Sequence, residues 1–323
     1  MWQTRRFLLL FKLHLWLQLP QKNLRCYNNS MAIALRKQIA RNKINTIIAM
    51  AVFVALVSLI GWLFAWLFSN PNILLWCVVI STIYALFQYF FSDKLAIASA
   101  GAKEADPDEQ SRYFRIVKKL TEDAKVPMPR LYIINDSAPN AFATGRDPEH
   151  SAIAVTVGLL EIMDDKELRA VLAHELSHVR NFDIRVSMIT FGLTSVVGLL
   201  SDFGLRVLWY SDRDTEDNSP VGMLFVLLVL ALSPLISVIV QLAISRQREY
   251  LADASSVSIT GDADSMINAL RKLDAHNRPM RQQNVATEAM YISNPLKKSV
   301  LSRFFSTHPP IEARIERLES VKK

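Results

Sequence analysis

The chain has 323 residues, of which 51% are hydrophobic and 21% charged. That balance is too apolar for an ordinary soluble domain and too charged for a protein lying wholly inside a bilayer, so membrane segments combined with a soluble domain are expected. The net charge of +7 does not mark a nucleic-acid binder, because no Lys/Arg stripe is interleaved with aromatics and much of the excess flanks apolar segments, where it sets membrane orientation. The two cysteines, Cys26 and Cys77, imply neither a disulfide framework nor a thiolate metal site.

Residues 1–30 open with Arg5-Arg6 and the apolar run Phe7 to Phe11. The run resembles a signal peptide, but Lys12 and His14 interrupt it and no small-residue cleavage site follows. Met31 begins a more conventional start, so 1–30 read either as an extension from a misassigned start or as an amphipathic interfacial segment. Residues 31–92 hold two expected transmembrane helices, about 44–68 and 73–91, joined by the turn Ser69-Asn70-Pro71-Asn72. Each apolar run is long enough for a hydrocarbon core about 30 Å thick. Arg36, Lys37, Arg41 and Lys43 precede the first span while the turn is uncharged, which places the N-terminus and everything after Ser92 in the cytoplasm.

Residues 93–185 read as the first part of a soluble domain. A helix is expected from Asp106-Pro107 to about Ala124, then strands at 130–135, 140–145 and 152–156, then a helix capped by Asp164 and Asp165. Residues 186–244 read as a second membrane hairpin, with Asp202 and Arg206 weakening its first span and an acidic loop between the two. A buried or re-entrant hairpin is the alternative. Residues 245–323 form the second part of the domain, with a helix carrying Glu249 and Asp253, a second helix to about Asp274, and a terminal helix from Ile311 to Val321. The expected fold is a mainly α membrane protein with an α+β domain and about four transmembrane helices.

The chemistry gathers on the helix after Asp164, which contains His174-Glu175-Leu176-Ser177-His178. Histidines at i and i+4 share one helix face, so both imidazoles can reach one metal ion, and Glu175 can face a water bound to it. Zinc held by neutral imidazoles, with a carboxylate to take the water's proton, is the arrangement of a hydrolase. The ordinary alternative is an exposed helix carrying the same residues as solvated side chains. A catalytic zinc needs a third protein ligand, and His150, Glu249, His276 and His308 are candidates. Glu249 is the best placed, with Asp253 on the next turn of its helix able to hold a ligand imidazole; pairing with Arg246 or Arg248 is its bland alternative.

Asn140-Ala141-Phe142-Ala143, the His174 to His178 motif followed by Asn181 and Asp183, Arg248-Glu249-Tyr250-Leu251-Ala252-Asp253-Ala254, and Thr307-His308-Pro309-Pro310 occur in the order seen in HtpX-like membrane metalloproteases. These are gluzincins related to the CAAX prenyl proteases, and the likeness covers roughly residues 31–323. The resemblance implies a zincin-like protease domain holding one Zn²⁺ per chain through His174, His178 and Glu249, with Glu175 as general base. It implies backing roles for Asp253 and Asp183, substrate binding at Asn140 and oxyanion support from His308. Local turn-holding by Asn140 and helix capping by His308 are the alternatives. It further implies polypeptide substrates, above all damaged membrane proteins cleared under stress at a bacterial inner membrane, with the site facing the cytoplasm and no nucleic-acid partner. A CAAX-type prenyl-protein protease and a non-catalytic scaffold with a structural zinc are the competing readings; the sequence leaves the oligomeric state and physiological substrate open.

Overall fold

The computed structural model describes residues 24–67, 69–189, 192, 246–282, 290–293 and 309–322. Two long helices lead into a small mixed sheet surrounded by shorter helices. Helix α1 (Leu24–Leu67) and α2 (Asn72–Ser99) are joined by a turn at Ser69 to Pro71 and pack along each other. Arg36–Trp66 of α1 and the whole of α2 are long and apolar enough to cross a membrane. Trp62, Trp66 and Trp76, beside the connecting turn, are all more than half exposed. Exposed indoles at one end of a helix pair suit a lipid headgroup region.

Both helices outrun the apolar segments that announced them. Helix α2 continues past Phe91 to Ser99 because its last two turns have work outside a membrane. Ser92, Ala96 and Ile97 are buried, and Asp93 accepts a 2.7 Å hydrogen bond from Arg130. A hydropathy window ends where charges begin, whereas the helix ends only where its hydrogen-bond ladder loses support. Of the second hairpin expected over 186–244, only residues 186–189 and 192 lie within the described residues. There, Ile189 packs with Phe53 of α1 and Ala85 of α2.

Strands β1 (Ala102–Glu104), β2 (Arg130–Ile134), β3 (Ala141–Gly145) and β4 (Ser151–Thr156) form a sheet in the order β1-β2-β4-β3. The β2/β4 pair is parallel and the others antiparallel. Strand β1, only three residues long, carries no alternating pattern that announces it. Gly145 closes β3 with a φ of 133°, and a Cβ there would collide with the His150 carbonyl; only glycine suits both conditions.

Alternation along the strands separates two cores. Leu131, Ala141, Ala143, Ile153 and Val155 face the shorter helices, while Ile134, Phe142 and Ala154 face the end of α2, Met188 and Tyr291. On the first face lie α3 (Ser111–Ala124), α5 (Asp165–Arg180), α7 (Ala263–Ala275) and α8 (Ile311–Lys322), with short α4 (Val157–Ile162) between β4 and α5. Helix α3 starts later than expected. Residues 107–110 form turns in which Asp106 accepts from the Asp108 and Gln110 amides before the helix begins.

Candidate metal centre

Helix α5 is fixed at its start and buried along most of its length. Asp164 accepts from the Lys166 and Glu167 amides at 2.8 and 2.9 Å, and Glu167 accepts in return from the Asp164 amide, a reciprocal capping box. Lys272 of α7 donates to Glu167 at 2.6 Å and ties that end down. Leu168, Val171, Leu172, Leu176 and Val179 then bury one face completely or nearly so, each stabilising the fold by roughly 1.5–3 kcal/mol. Helix α6 (Arg246–Thr260) lies against α5, with Ser256 donating to the Ala170 carbonyl at 2.6 Å.

This packing brings His174, His178 and Glu249 together. The two Nε2 atoms are 3.2 Å apart, and each lies 3.6 Å from an oxygen of Glu249. Donors at tetrahedral zinc distances of about 2.0–2.2 Å are separated by roughly 3.3 Å along each edge of the tetrahedron. The spacing of the two Nε2 atoms matches such an edge, each faces a different oxygen of Glu249, Oε2 for His174 and Oε1 for His178, and two imidazoles with one carboxylate are the donor types a catalytic zinc takes. Among the described residues this is the cluster of three or more such side chains that could hold a metal ion. Glu175, 2% exposed, lines the same cavity.

Each histidine is backed by a carboxylate on its other nitrogen. His174 Nδ1 lies 2.9 Å from Asp253 Oδ1, and His178 Nδ1 lies 3.0 Å from Asp183 Oδ2. With Nδ1 donating to these oxygens, Nε2 is the ring atom each histidine would turn to a shared metal. Asp253 is itself gripped by Arg314 of α8, through Nε at 2.9 Å and Nη2 at 2.6 Å, while Nη1 stands 3.8 Å from Glu249. Burial opposes a charge on His174, but its bonds to Asp253 and Glu249 prevail and push its pKa up to about 9. Burial works against the Asp253 carboxylate too, and the Arg314 charge with His174 outweighs it, holding the group down to about 2. The upward shift favours the protonated form of His174 in the absence of a metal, so metal binding there competes with a proton.

The second carboxylate rests on a different support. Phe182 takes a left-handed φ of 59°, unfavourable for a bulky side chain, and turns the chain so that Asp183 folds back on His178. Arg248 is directed to Asp183 at 4.0 Å, and the guanidinium 3.8 Å from Glu249 is that of Arg314; the side chain of Arg246, the other partner the sequence offered Glu249, lies outside the described residues.

Asn140 lies at the β3 edge, and its amide is engaged with the chain itself, donating to the Ser293 carbonyl at 2.8 Å and accepting from the Ser293 amide. Residues 290–293 run along this edge through a Phe142–Tyr291 bridge and a 3.0 Å bond from the Ile292 amide to the Ala141 carbonyl. His150 is bound to Asp147 on an exposed turn and His276 closes α7, so neither approaches the centre. His308 lies outside the described residues. Arg314 and Asn42, both in contact with the backing carboxylates, escaped the sequence reading. Arg314 has a faint signal, an arginine between Ile311, Ile315 and Leu318 on the apolar stripe of α8; it is fully buried.

The profile of Peptidase family M48 matches residues 107–322, the span from the turn before α3 to the end of α8. The chain belongs to peptidase family M48. Family M48 comprises zinc metallopeptidases, and the motif residues lie within the matched span. A Protease HtpX homolog of Tropheryma whipplei strain Twist is 45% identical over 88% of this chain and 97% of its own length. HtpX homologs of Streptococcus gordonii and of Streptococcus pyogenes serotype M28 are 42% and 45% identical, over 88% and 89% of this chain and 99% and 100% of theirs. Ste24p of S. mikatae, solved as a crystal structure, aligns over 89% of this chain and 67% of its own at a TM-score of 0.48 and 18% identity. This M48 chain is thus a membrane metalloprotease of the HtpX type.

Proposed function

We propose that the protein is a zinc endopeptidase that holds one Zn²⁺ through His174, His178 and Glu249. It cleaves membrane proteins at exposed loops or unfolded ends on the cytoplasmic side of a bacterial membrane, as part of membrane-protein quality control. The observation that carries the reading is the convergence of three zinc-type donors, whose ligand atoms lie within 4.8 Å of one another, in one cavity with the Glu175 carboxylate. Bound zinc would supply Lewis acidity to the scissile carbonyl and lower the pKa of a water. Glu175 takes a proton from the attacking water as the new C–O bond forms, then delivers it to the departing nitrogen as the C–N bond breaks. Asp253 and Asp183 keep both imidazoles turned to the metal, and the Asp253–Arg314 pair keeps negative charge beside His174 without exposing it to water.

Strand β3 is the reading's substrate edge. Asn140 and Ala141 direct their carbonyls to opposite sides, the first to β4 and the second to Ile292. By strand alternation the backbone groups of Ala143 share Ala141's outer edge, and Ala143 lines the cavity with Glu175. Residues 290–293 pair with this edge at Ala141 and Phe142, so a substrate backbone takes their place there and is recognised without regard to side chains, which suits varied damaged proteins. Asn140, bonded to Ser293, is then released to bind the substrate backbone, and His308 is the candidate donor to the oxyanion.

Orientation rests on the α1 helix. The centre lies at the end of α1 that carries exposed Arg36, Lys37, Arg41 and Lys43, the end expected on the cytoplasmic side, and the indoles lie at the other end. A second spanning pair within 186–244 completes the proposed four-helix anchor. Purified full-length wild type should contain one zinc per chain and cleave casein, losing activity to a chelator. Glu175→Gln should retain the zinc and lose at least a thousandfold in rate, the upper part of the range for a lost general base and its water positioning, about 10²–10⁴. Undiminished cleavage by Glu175→Gln would sink the assignment.

A further inference from the structure

We propose that Asn42, on the first membrane helix, is a positioning residue of the metal centre that acts through Asp183 on His178. Asn42 is 2% exposed, although its neighbours Arg41, Lys43 and Ile44 are exposed. Its Nδ2 donates both hydrogens into the loop after α5, to Asp183 Oδ1 at 2.7 Å and to the Asn181 carbonyl at 3.0 Å, while its Oδ1 accepts from Gln38 at 3.1 Å. The two acceptors fix which end of the amide faces the loop, since a flipped amide would set oxygen against oxygen.

Asp183 therefore has its two oxygens committed to different elements: Oδ1 to the membrane helix and Oδ2 to His178 Nδ1. A carboxylate held at one oxygen cannot rotate, and the imidazole bonded to the other is held with it. Arg248, at 4.0 Å, is too far to replace the amide as a hydrogen-bond donor. The contact is reinforced nearby by Lys43, whose Nζ lies 4.6 Å over the Phe182 ring. The membrane anchor thus contributes a group to the metal site, and the orientation of one ligand depends on the seating of α1 against the domain.

The inference rests on the zinc reading above, and one set of titrations separates the two. Full-length protein in detergent, stripped of metal, is titrated with Co²⁺ against a competing chelator, and the visible spectrum of the loaded form is recorded. Asn42→Leu, which keeps the volume and suits an apolar helix, should weaken Co²⁺ binding at least tenfold, within the 10–100-fold range typical of outer partners of metal ligands. It should also alter the cobalt absorption bands; Asn42→Ala serves where leucine is not accommodated. Thr46→Val, buried on the same face and bonded, among the described residues, to the Asn42 carbonyl of its own helix, should leave both unchanged. In an Asp183→Ala background, Asn42→Leu should add less than twofold, because a residue acting through Asp183 has nothing left to act on. Wild-type affinity and spectrum in Asn42→Leu, or full additivity with Asp183→Ala, would overturn the proposal while leaving the zinc site standing. Wild type that binds no Co²⁺ would overturn both.

Discussion

The two ligand histidines sit one helical turn apart and are supported in opposite ways. His174 is fully buried, and its backing carboxylate is locked by the guanidinium of Arg314, also fully buried, from a helix within the M48-matched span. His178 keeps 15% of its side chain exposed, and its carboxylate is held by a neutral amide from a membrane helix. The first support is an ion pair sealed from water, strong because it cannot be solvated and intolerant of losing either member. The second is a single neutral donor that shifts with its helix. One ligand is anchored by the domain core and the other by the membrane segment, so the centre registers whether the two halves are correctly joined.

The largest difference between the supports should appear when each donor is removed. Arg314→Met fills similar space but strands the Asp253 carboxylate and removes the charge beside Glu249, which should cost about 3–5 kcal/mol of stability. Asn42→Leu should cost far less stability and act mainly on the metal. Thermal or denaturant unfolding of the metal-free proteins checks this, and equal losses would erase the distinction.

A smaller effect follows from protons on the His174 side. The Asp253 pKa is depressed to about 2, so its contribution to stability is complete above the usual carboxylate range near 4 and disappears as pH falls toward 2. The His174 pKa is raised to about 9, so its contribution in the metal-free protein is present below about 6.5 and is lost as pH climbs through 9. Stability of the metal-free wild type relative to Asp253→Asn should therefore be greatest between about pH 4 and 6.5. Zinc affinity should rise with pH up to about 9, as the competing proton leaves. A flat affinity profile between pH 6 and 9 would show that His174 does not carry that proton.

Local spacing announced much of this centre. Four-residue intervals put His174 with His178 and Glu249 with Asp253, and the capping aspartate Asp164 marked the start of α5. Uncharged runs located both long helices. What lay hidden depends on contacts between distant elements. Arg314 is 61 residues from Asp253 and Asn42 is 141 from Asp183, and neither separation leaves a periodic trace. Strand β1 is too short for alternation, and the pairing of 290–293 with β3 exists only because the fold brings them side by side. His308 and most of 186–244 fall outside the described residues.

The proposed zinc centre stands or falls on two imidazoles and one carboxylate of this chain holding a single ion. Zinc K-edge X-ray absorption on the loaded full-length protein, beside Glu249→Ala, tests it directly. One zinc per chain is expected, with two histidine nitrogens and oxygen donors at about 2.0–2.2 Å, and in Glu249→Ala the loss of an oxygen donor with weakened retention. A shell containing sulfur, a single histidine, or an unchanged spectrum in Glu249→Ala would contradict it.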